Sequence, residues 1–158
     1  MKSTNGGVPG FPELSLGWYK LEEMEPVLLY DMLALREAIF VVEQSCVYQE
    51  LDGLDKIAAH LLVLHGETPV ACLRLLPSNE EQPRVRIGRV AVSQRLRKQG
   101  LARRMLENAV TEARRGPSSC GVFLSAQTYL KGFYESLGFQ VCGDEFLEDG
   151  IPHIPMQM

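Results

Sequence analysis

Apolar positions recur along the chain with two periods, one helical and one of two residues, and the changes between them mark its elements. After a Gly/Pro-rich, aperiodic opening, expected to be a flexible leader over residues 1–15, LGWYKL (16–21) reads as a short first strand. Pro26 is suited to open a helix. Leu28, Met32, Leu35 and Ile39 follow at spacings of four, three and four, the stripe of one helical face that ends near Glu43. Residues 57–66 and 68–77 are β-like runs around the turn residues Gly66 to Pro69, a hairpin, and the polar turn SNEEQP (78–83) leads to a third strand, VRIGRVAV (85–92). Leu101, Ala102, Met105, Leu106, Ala109, Val110 and Ala113 form one face of a second long helix, stopped by Gly116 and Pro117. CGVFLSAQ (120–127) predicts a buried strand, and Leu130, Phe133, Tyr134 and Leu137 a short helix closed by Gly138. The remainder predicts one or two short strands around a Glu148-Asp149-Gly150 turn. The order implies an α/β fold with a mixed sheet, one domain over residues 16–158.

The third strand changes phase. Its apolar residues fall at Val85 and Ile87, then at Val90 and Val92, so the alternation switches parity across Gly88-Arg89. Two readings fit: one residue bulges out of the ladder, bending the strand and freeing backbone groups, or that end is buried on both faces.

Charge adds a second singularity. The chain has 16 Lys/Arg against 20 Asp/Glu, a net charge of −4. Residues 84–104 hold eight of the bases and no acid, which leaves eight bases against twenty acids elsewhere, a net of −12. A local positive field in an acidic protein suits a small polyanion better than a long nucleic acid, which a basic whole domain would meet, and no aromatic lies in that window to stack on bases. The bland alternative is a solvated helix face. No apolar run reaches the roughly 20 residues of a membrane helix. Cys46, Cys72, Cys120 and Cys142 are scattered without metal-ligand spacing, so no metal is expected, the thiols are expected reduced, and the protein is expected to be cytoplasmic. Residues 46–56 form an acidic loop without the alternation of a calcium-binding loop; Glu50, Asp52 and Asp55 in it are either solvated or a lure for a cationic amine.

SQRLRKQGLA puts Gly100 at the first turn of the second helix, where unpaired N–H groups and the positive dipole end meet an anion closely. The pattern Arg97-x-x-Gly100-x-Ala102, directly after this strand, resembles the acyl-CoA pyrophosphate motif (Q/R-x-x-G-x-G/A) of the GNAT superfamily of N-acetyltransferases, and FYESLGF (133–139) resembles its following motif. Residues 39–55 and 148–158 are similar to the ElaA-like branch. The resemblance spans residue 16 to the end; Ala102 stands at the second glycine position, which the pattern allows. It implies a GNAT-like, centrally splayed sheet flanked by helices, with acetyl-CoA as cosubstrate. It further implies that the backbone of Val90, Ala91 and Val92 holds the pantetheine arm, and that Arg97, Lys98, Gln99, Gly100, Leu101, Ala102 and Arg103 surround the pyrophosphate. Gln127 stands where the family often has a polar residue at the cofactor; the alternative is a helix-capping or surface amide.

Acetyl transfer from a thioester to an amine needs a neutral amine, a hold on the developing oxyanion and a proton for the departing thiolate. A bulge near Val90 to Val92 serves the second need. Tyr134, which the resemblance sets beside the CoA sulfur, is the candidate general acid; on pattern alone it is a core residue of an apolar stripe. Glu43, His60 and His153 are candidates for the base and the acceptor side, with Glu148 and Asp149 behind them. Glu43 leads, because it follows an apolar run and partial desolvation would raise its pKa. The reading is an acetyl-CoA-dependent N-acetyltransferase acting on a small-molecule or protein amine through a ternary complex. It is expected as a monomer or homodimer without nucleic-acid or membrane partners. The alternative is an acyl-CoA-binding module without turnover.

Overall fold

Strands β1 (Gly6–Val8) and β2 (Phe11–Lys20) form a hairpin at one edge of the sheet, paired from Gly6↔Leu16 to Val8↔Phe11. The computed structural model describes residues 6–116 and 121–158. Met1 to Asn5 of the expected leader, and Pro117 and Cys120 at the ends of two expected elements, lie outside the described residues. From Gly6 onward the expected leader is strand instead. Val8, Phe11 and Leu14 are buried in the core at spacings of three, a period that the register shift between Gly7 and Val8 produces and that alternation by two overlooks.

Helix α1 (Pro26–Glu37) continues through a π-helical turn, Ala38–Glu43, which ends where the apolar stripe predicts. Then come β3 (Ala59–His65), β4 (Thr68–Leu76), β5 (Val85–Val92), α2 (Leu101–Ala113), β6 (Val122–Gln127), α3 (Lys131–Glu135), β7 (Gln140–Val141), β8 (Phe146–Glu148) and β9 (Ile151–Gln157). The C-terminal segment thus forms three strands rather than one or two, with Asp149 and Gly150 both at positive φ in the tight turn between β8 and β9. Among the described residues one mixed sheet runs β1-β2-β3-β4-β5-β6-β9-β7, with β8 on β9. The fold is α/β with an open sheet.

Two cores lie on the two faces of this sheet. On one, Leu61, Val63, Leu73, Val85 and Ile87 pack beneath Leu101, Met105, Leu106 and Ala109 of α2 and beneath Tyr134 and Phe139. On the other, Leu62, Leu64, Cys72 and Ala91 pack beneath Met32 and Ile39 of α1. Burying each large apolar side chain contributes roughly 1.5–3 kcal/mol, which makes the stripe of α2 a principal anchor of its face.

The three acids of the loop are paired with arginines of the fold. Arg36, on the buried face of α1, donates to Glu50 (2.7 and 2.9 Å) and to Asp55 (2.8 and 3.1 Å). Arg74 of β4 donates to Asp52 (2.8 and 2.5 Å) and to Asp55 (3.2 Å). The loop's charge is spent on three inward-facing arginines, the third being Arg89. Hydrogen bonds from Arg74 hold the Asp52 carboxyl below its ordinary range; burial pushes Asp55 up, but Arg36 and Arg74 more than offset it. Both are depressed relative to the unfolded chain, so their contribution is present at neutral pH and is lost as pH falls below about 5, where unfolded carboxyls take up protons first. Arg36→Ala leaves Glu50 and Asp55 buried without their main partner and is expected to cost about 3–5 kcal/mol of unfolding free energy at pH 7, with a smaller difference from wild type at pH 3. Urea titration at both pH values checks this; a loss below 1 kcal/mol at pH 7 would count against the clasp.

Candidate functional site

Strand β5 is the axis of the site. It runs parallel to β6 but pairs with it only at Val85↔Val122 and Arg86↔Phe123, so from Ile87 onward its edge toward β6 is open. Toward β4 the register passes from Cys72↔Ala91 to Arg74↔Gly88, which sets Arg89 and Val90 together against Leu73. This is the bulge that the parity switch predicts, with Arg89 at φ +53°. Val85, Ile87, Val90 and Val92 all face the α2 core, while Ala91 faces the α1 core. That end is therefore both bulged and covered on two faces.

The slot leads to the start of α2. Gly100 is the residue before the helix, at φ +88°, and a Cβ built on it meets nothing within 4 Å. Its carbonyl accepts the first intrahelical bond, from Arg104 N at 3.2 Å, so the N–H groups of Leu101, Ala102 and Arg103 have no helical partner. Leu101 is buried beneath them; Lys98 is exposed at φ +60°, and the Gln99 amide donates to Arg95 O (2.8 Å). Arg103 reaches across to α3, donating to Ser136 Oγ (2.6 Å) with its guanidinium 5.9 Å from the Phe133 ring centre. The helix with the free N–H groups is thereby tied to the one that carries Tyr134. Tyr134 is 6% exposed, edge-on to Phe133 and Phe139, and burial, with a smaller effect of Tyr129, pushes its phenol up to about 12. It is a core residue and a protonated phenol at once.

An open mixed sheet split beside a bulged strand, feeding a glycine-led helix, has known relatives. Residues 30–158 match the family described as acetyltransferase (GNAT) domain. The chain belongs to the GNAT acetyltransferase family. It is 43% identical to a UPF0039 protein of Schizosaccharomyces pombe over 82% of this chain and 87% of that one. To ElaA of Escherichia coli it is 38% identical, over 85% of this chain and 89% of the other. A crystal structure of an acyl-CoA N-acyltransferase from Pseudomonas aeruginosa superposes with a TM-score of 0.85 at 39% identity, covering 91% of this chain and 98% of that one. The ElaA crystal structure gives 0.84 at 35% identity, with the same coverages. The chain is an ElaA-like GNAT protein.

Within this GNAT frame the acceptor-side candidates separate. Glu43, at the end of the π-helical turn, is gripped by Arg97: Nη1 and Nη2 donate to its two carboxylate oxygens at 2.5 and 2.9 Å, while Arg97 Nε donates to Val92 O (2.8 Å). The hydrogen bond from Arg97 lowers the Glu43 pKa against the opposing effect of burial, so the desolvation expected to raise it is overruled. His60 is packed at 1% exposure on the α1 face, its Nε2 3.0 Å from Asp55 O, and burial lowers its pKa. His153 lies opposite Gln127 across the β9–β6 pairing, and on this same face the Gln127 amide donates to Gln44 Oε1 (3.3 Å). His153 Nδ1 is 2.7 Å from Ile151 O, a contact that needs the proton on Nδ1, and its Nε2 is 3.5 Å from Glu148 Oε2. Asp149 O accepts from Cys46 Sγ (3.4 Å), which fastens the acidic loop to this turn. Among the described residues no group of three or more His, Cys, Asp or Glu is positioned to hold a metal ion. Sequence reasoning missed the part played by Arg36, Arg74 and Arg89. The available signal was an arginine inside each of three apolar elements, two of them at buried positions, since such a charge requires a carboxylate partner.

Proposed function

We propose that this protein transfers the acetyl group of acetyl-CoA to a primary amine, of a small molecule or of a protein, by direct attack within a ternary complex. The observation that carries the reading is the slot between β5 and β6, which opens to the glycine-led helix on the α2 face and to His153, Glu148 and Gln127 on the α1 face. Cosubstrate and acceptor then enter from opposite sides and meet at the bulge.

The pantetheine arm runs along the open edge of Val90, Ala91 and Val92. The pyrophosphate sits on the free N–H groups of Leu101, Ala102 and Arg103 over Gly100, with Lys98 and Gln99 beside it. Arg97, braced by Glu43, flanks this cradle and supports the end of β5 through Val92 O. At the acceptor side, Glu148 attracts the incoming ammonium and His153 Nε2, whose lone pair is free when Nδ1 bears the proton, accepts its proton. The amine nitrogen attacks the thioester carbon, the bulge N–H takes the carbonyl oxygen, and the C–S bond breaks as the Tyr134 hydroxyl hydrogen-bonds the departing thiolate, which takes up the nitrogen's second proton and leaves as the thiol. An acetyl-CoA-dependent reaction and unpaired thiols at Cys46 and Cys72 fit a cytoplasmic setting.

Calorimetric titration with acetyl-CoA, followed by thiol release and mass spectrometry over an amine panel, tests this. Expected are acetyl-CoA binding and thiol release that primary amines trigger and tertiary amines do not. His153→Ala should lower kcat on the order of 100-fold. Binding without amine-dependent thiol release on any panel member would leave an acyl-CoA-binding module instead.

A further inference from the structure

The bulge has a fastening that ordinary sheet pairing does not supply. Arg89, one of its two residues, holds φ +53°, a left-handed conformation that strains a residue with a Cβ. On the β6 side no ladder restrains the peptide planes that follow it, because pairing there ends at Arg86↔Phe123. On the other edge the β4 ladder holds them from Ala91 onward, and the Arg89 side chain adds a restraint of its own. Arg89 Nε donates to Glu50 Oε1 (2.8 Å), and Nη2 donates to Glu50 O (2.9 Å) and Asp52 Oδ2 (3.3 Å), while the Tyr48 ring lies 5.7 Å from the guanidinium. Glu50 and Asp52 are in turn fixed by Arg36 of α1 and Arg74 of β4. The contacts to the Arg89 guanidinium come from the loop that Cys46 fastens to the Asp149 turn, so the loop walling the acceptor side also grips the bulge.

We infer that Arg89 is a positioning residue for acyl transfer: through Glu50 and Asp52 it holds the β5 bulge in the conformation that presents its free N–H to the thioester carbonyl. The inference rests on the acyl-transfer reading above for its chemistry, but not for the latch itself. Arg89 touches neither substrate nor reacting atoms. It acts by keeping one peptide plane from rotating on an open sheet edge, a form of preorganisation. The coupling also has a direction: a ligand that shifts the loop shifts the oxyanion donor with it.

Arg89→Gly separates this role from fold maintenance, since glycine adopts φ +53° without strain while the clasp is lost. The variant is expected to melt within a few degrees of wild type and to bind acetyl-CoA within about threefold of it. Its kcat should fall on the order of 10- to 100-fold, the scale of impairing one oxyanion donor. In the ligand-free proteins, hydrogen exchange should quicken at the amides of 89–91 in Arg89→Gly and stay unchanged across β3. Unaltered exchange at 89–91 would overturn the latch, and quickened exchange with wild-type kcat would overturn its role in acyl transfer. If wild type itself neither binds nor turns over acetyl-CoA, the acyl-transfer reading and the positioning role fall together, while the exchange comparison still decides the latch.

Discussion

Gly100→Asp is expected to weaken acetyl-CoA binding by on the order of 100-fold or more while leaving the fold intact. Three effects add. The residue at φ +88° would carry a Cβ, at a cost of roughly 1–2 kcal/mol, shared by free and bound protein and therefore read in stability. The new carboxylate would meet the N–H groups of Leu101, Ala102 and Arg103 itself, occupying the donors that the pyrophosphate needs. It would also set a negative charge against a ligand carrying several. Displacing a charge-assisted contact at a helix N-terminus and adding like-charge repulsion together amount to about 3 kcal/mol, hence the factor of 100. Gly100→Ala controls for strain: it should lose melting temperature comparably but bind acetyl-CoA within about tenfold of wild type. An Asp variant that stays folded and binds normally in calorimetry would return residues 95–104 to a solvated helix face.

Tyr134→Phe should leave acetyl-CoA affinity within about twofold and lower kcat on the order of 100-fold. Phenylalanine keeps the edge-on contacts to Phe133 and Phe139, so the core is retained. The size of the effect follows from the phenol's pKa of about 12. Handing its proton entirely to a thiolate of ordinary pKa about 8.5 is uphill by roughly 5 kcal/mol, so in the proposed reaction the hydroxyl would act mainly as a hydrogen-bond donor to the sulfur, near the lower end of general-acid effects. The raised pKa also sets a pH signature. The donor form persists from neutral pH until the phenol ionises near 12, so Tyr134 introduces no falling limb between pH 8 and 10. Stopped-flow thiol release over that range, for both proteins, gives the comparison. A phenylalanine variant keeping a third or more of wild-type kcat would make Tyr134 a packing residue only.

Periodicity carried most of the fold because most of the fold is periodic. The stripe of α2, the meander from β3 to β5 and the parity switch were all legible, and the two readings of that switch hold together: Val90 and Val92 return to the face of Val85 and Ile87, and Ala91 is buried opposite them. The first hairpin was hidden because its buried residues are three apart. At the site, a glycine before a helix is a local signal and was readable. The clasp was not, since Glu50, Asp52 and Asp55 look like solvent-facing acids until α1, β4 and β5 bring Arg36, Arg74 and Arg89 to them. Glu43 illustrates the same limit. Its environment is set by Arg97, 54 residues away in sequence, and the direction of its pKa shift reversed accordingly.

The single tryptophan lies in β2, and its indole N–H donates to Asn108 Oδ1 of α2 at 2.9 Å. That bond ties the first hairpin to the helix whose opening turn is the proposed anion cradle. Light absorbed selectively by Trp18 therefore reports on one junction alone. A change in its emission on adding ligand reads strain transmitted along α2, and a red shift during denaturation reads the edge hairpin leaving the sheet. The chain carries an intrinsic fluorophore wired to the helix proposed to hold the cosubstrate.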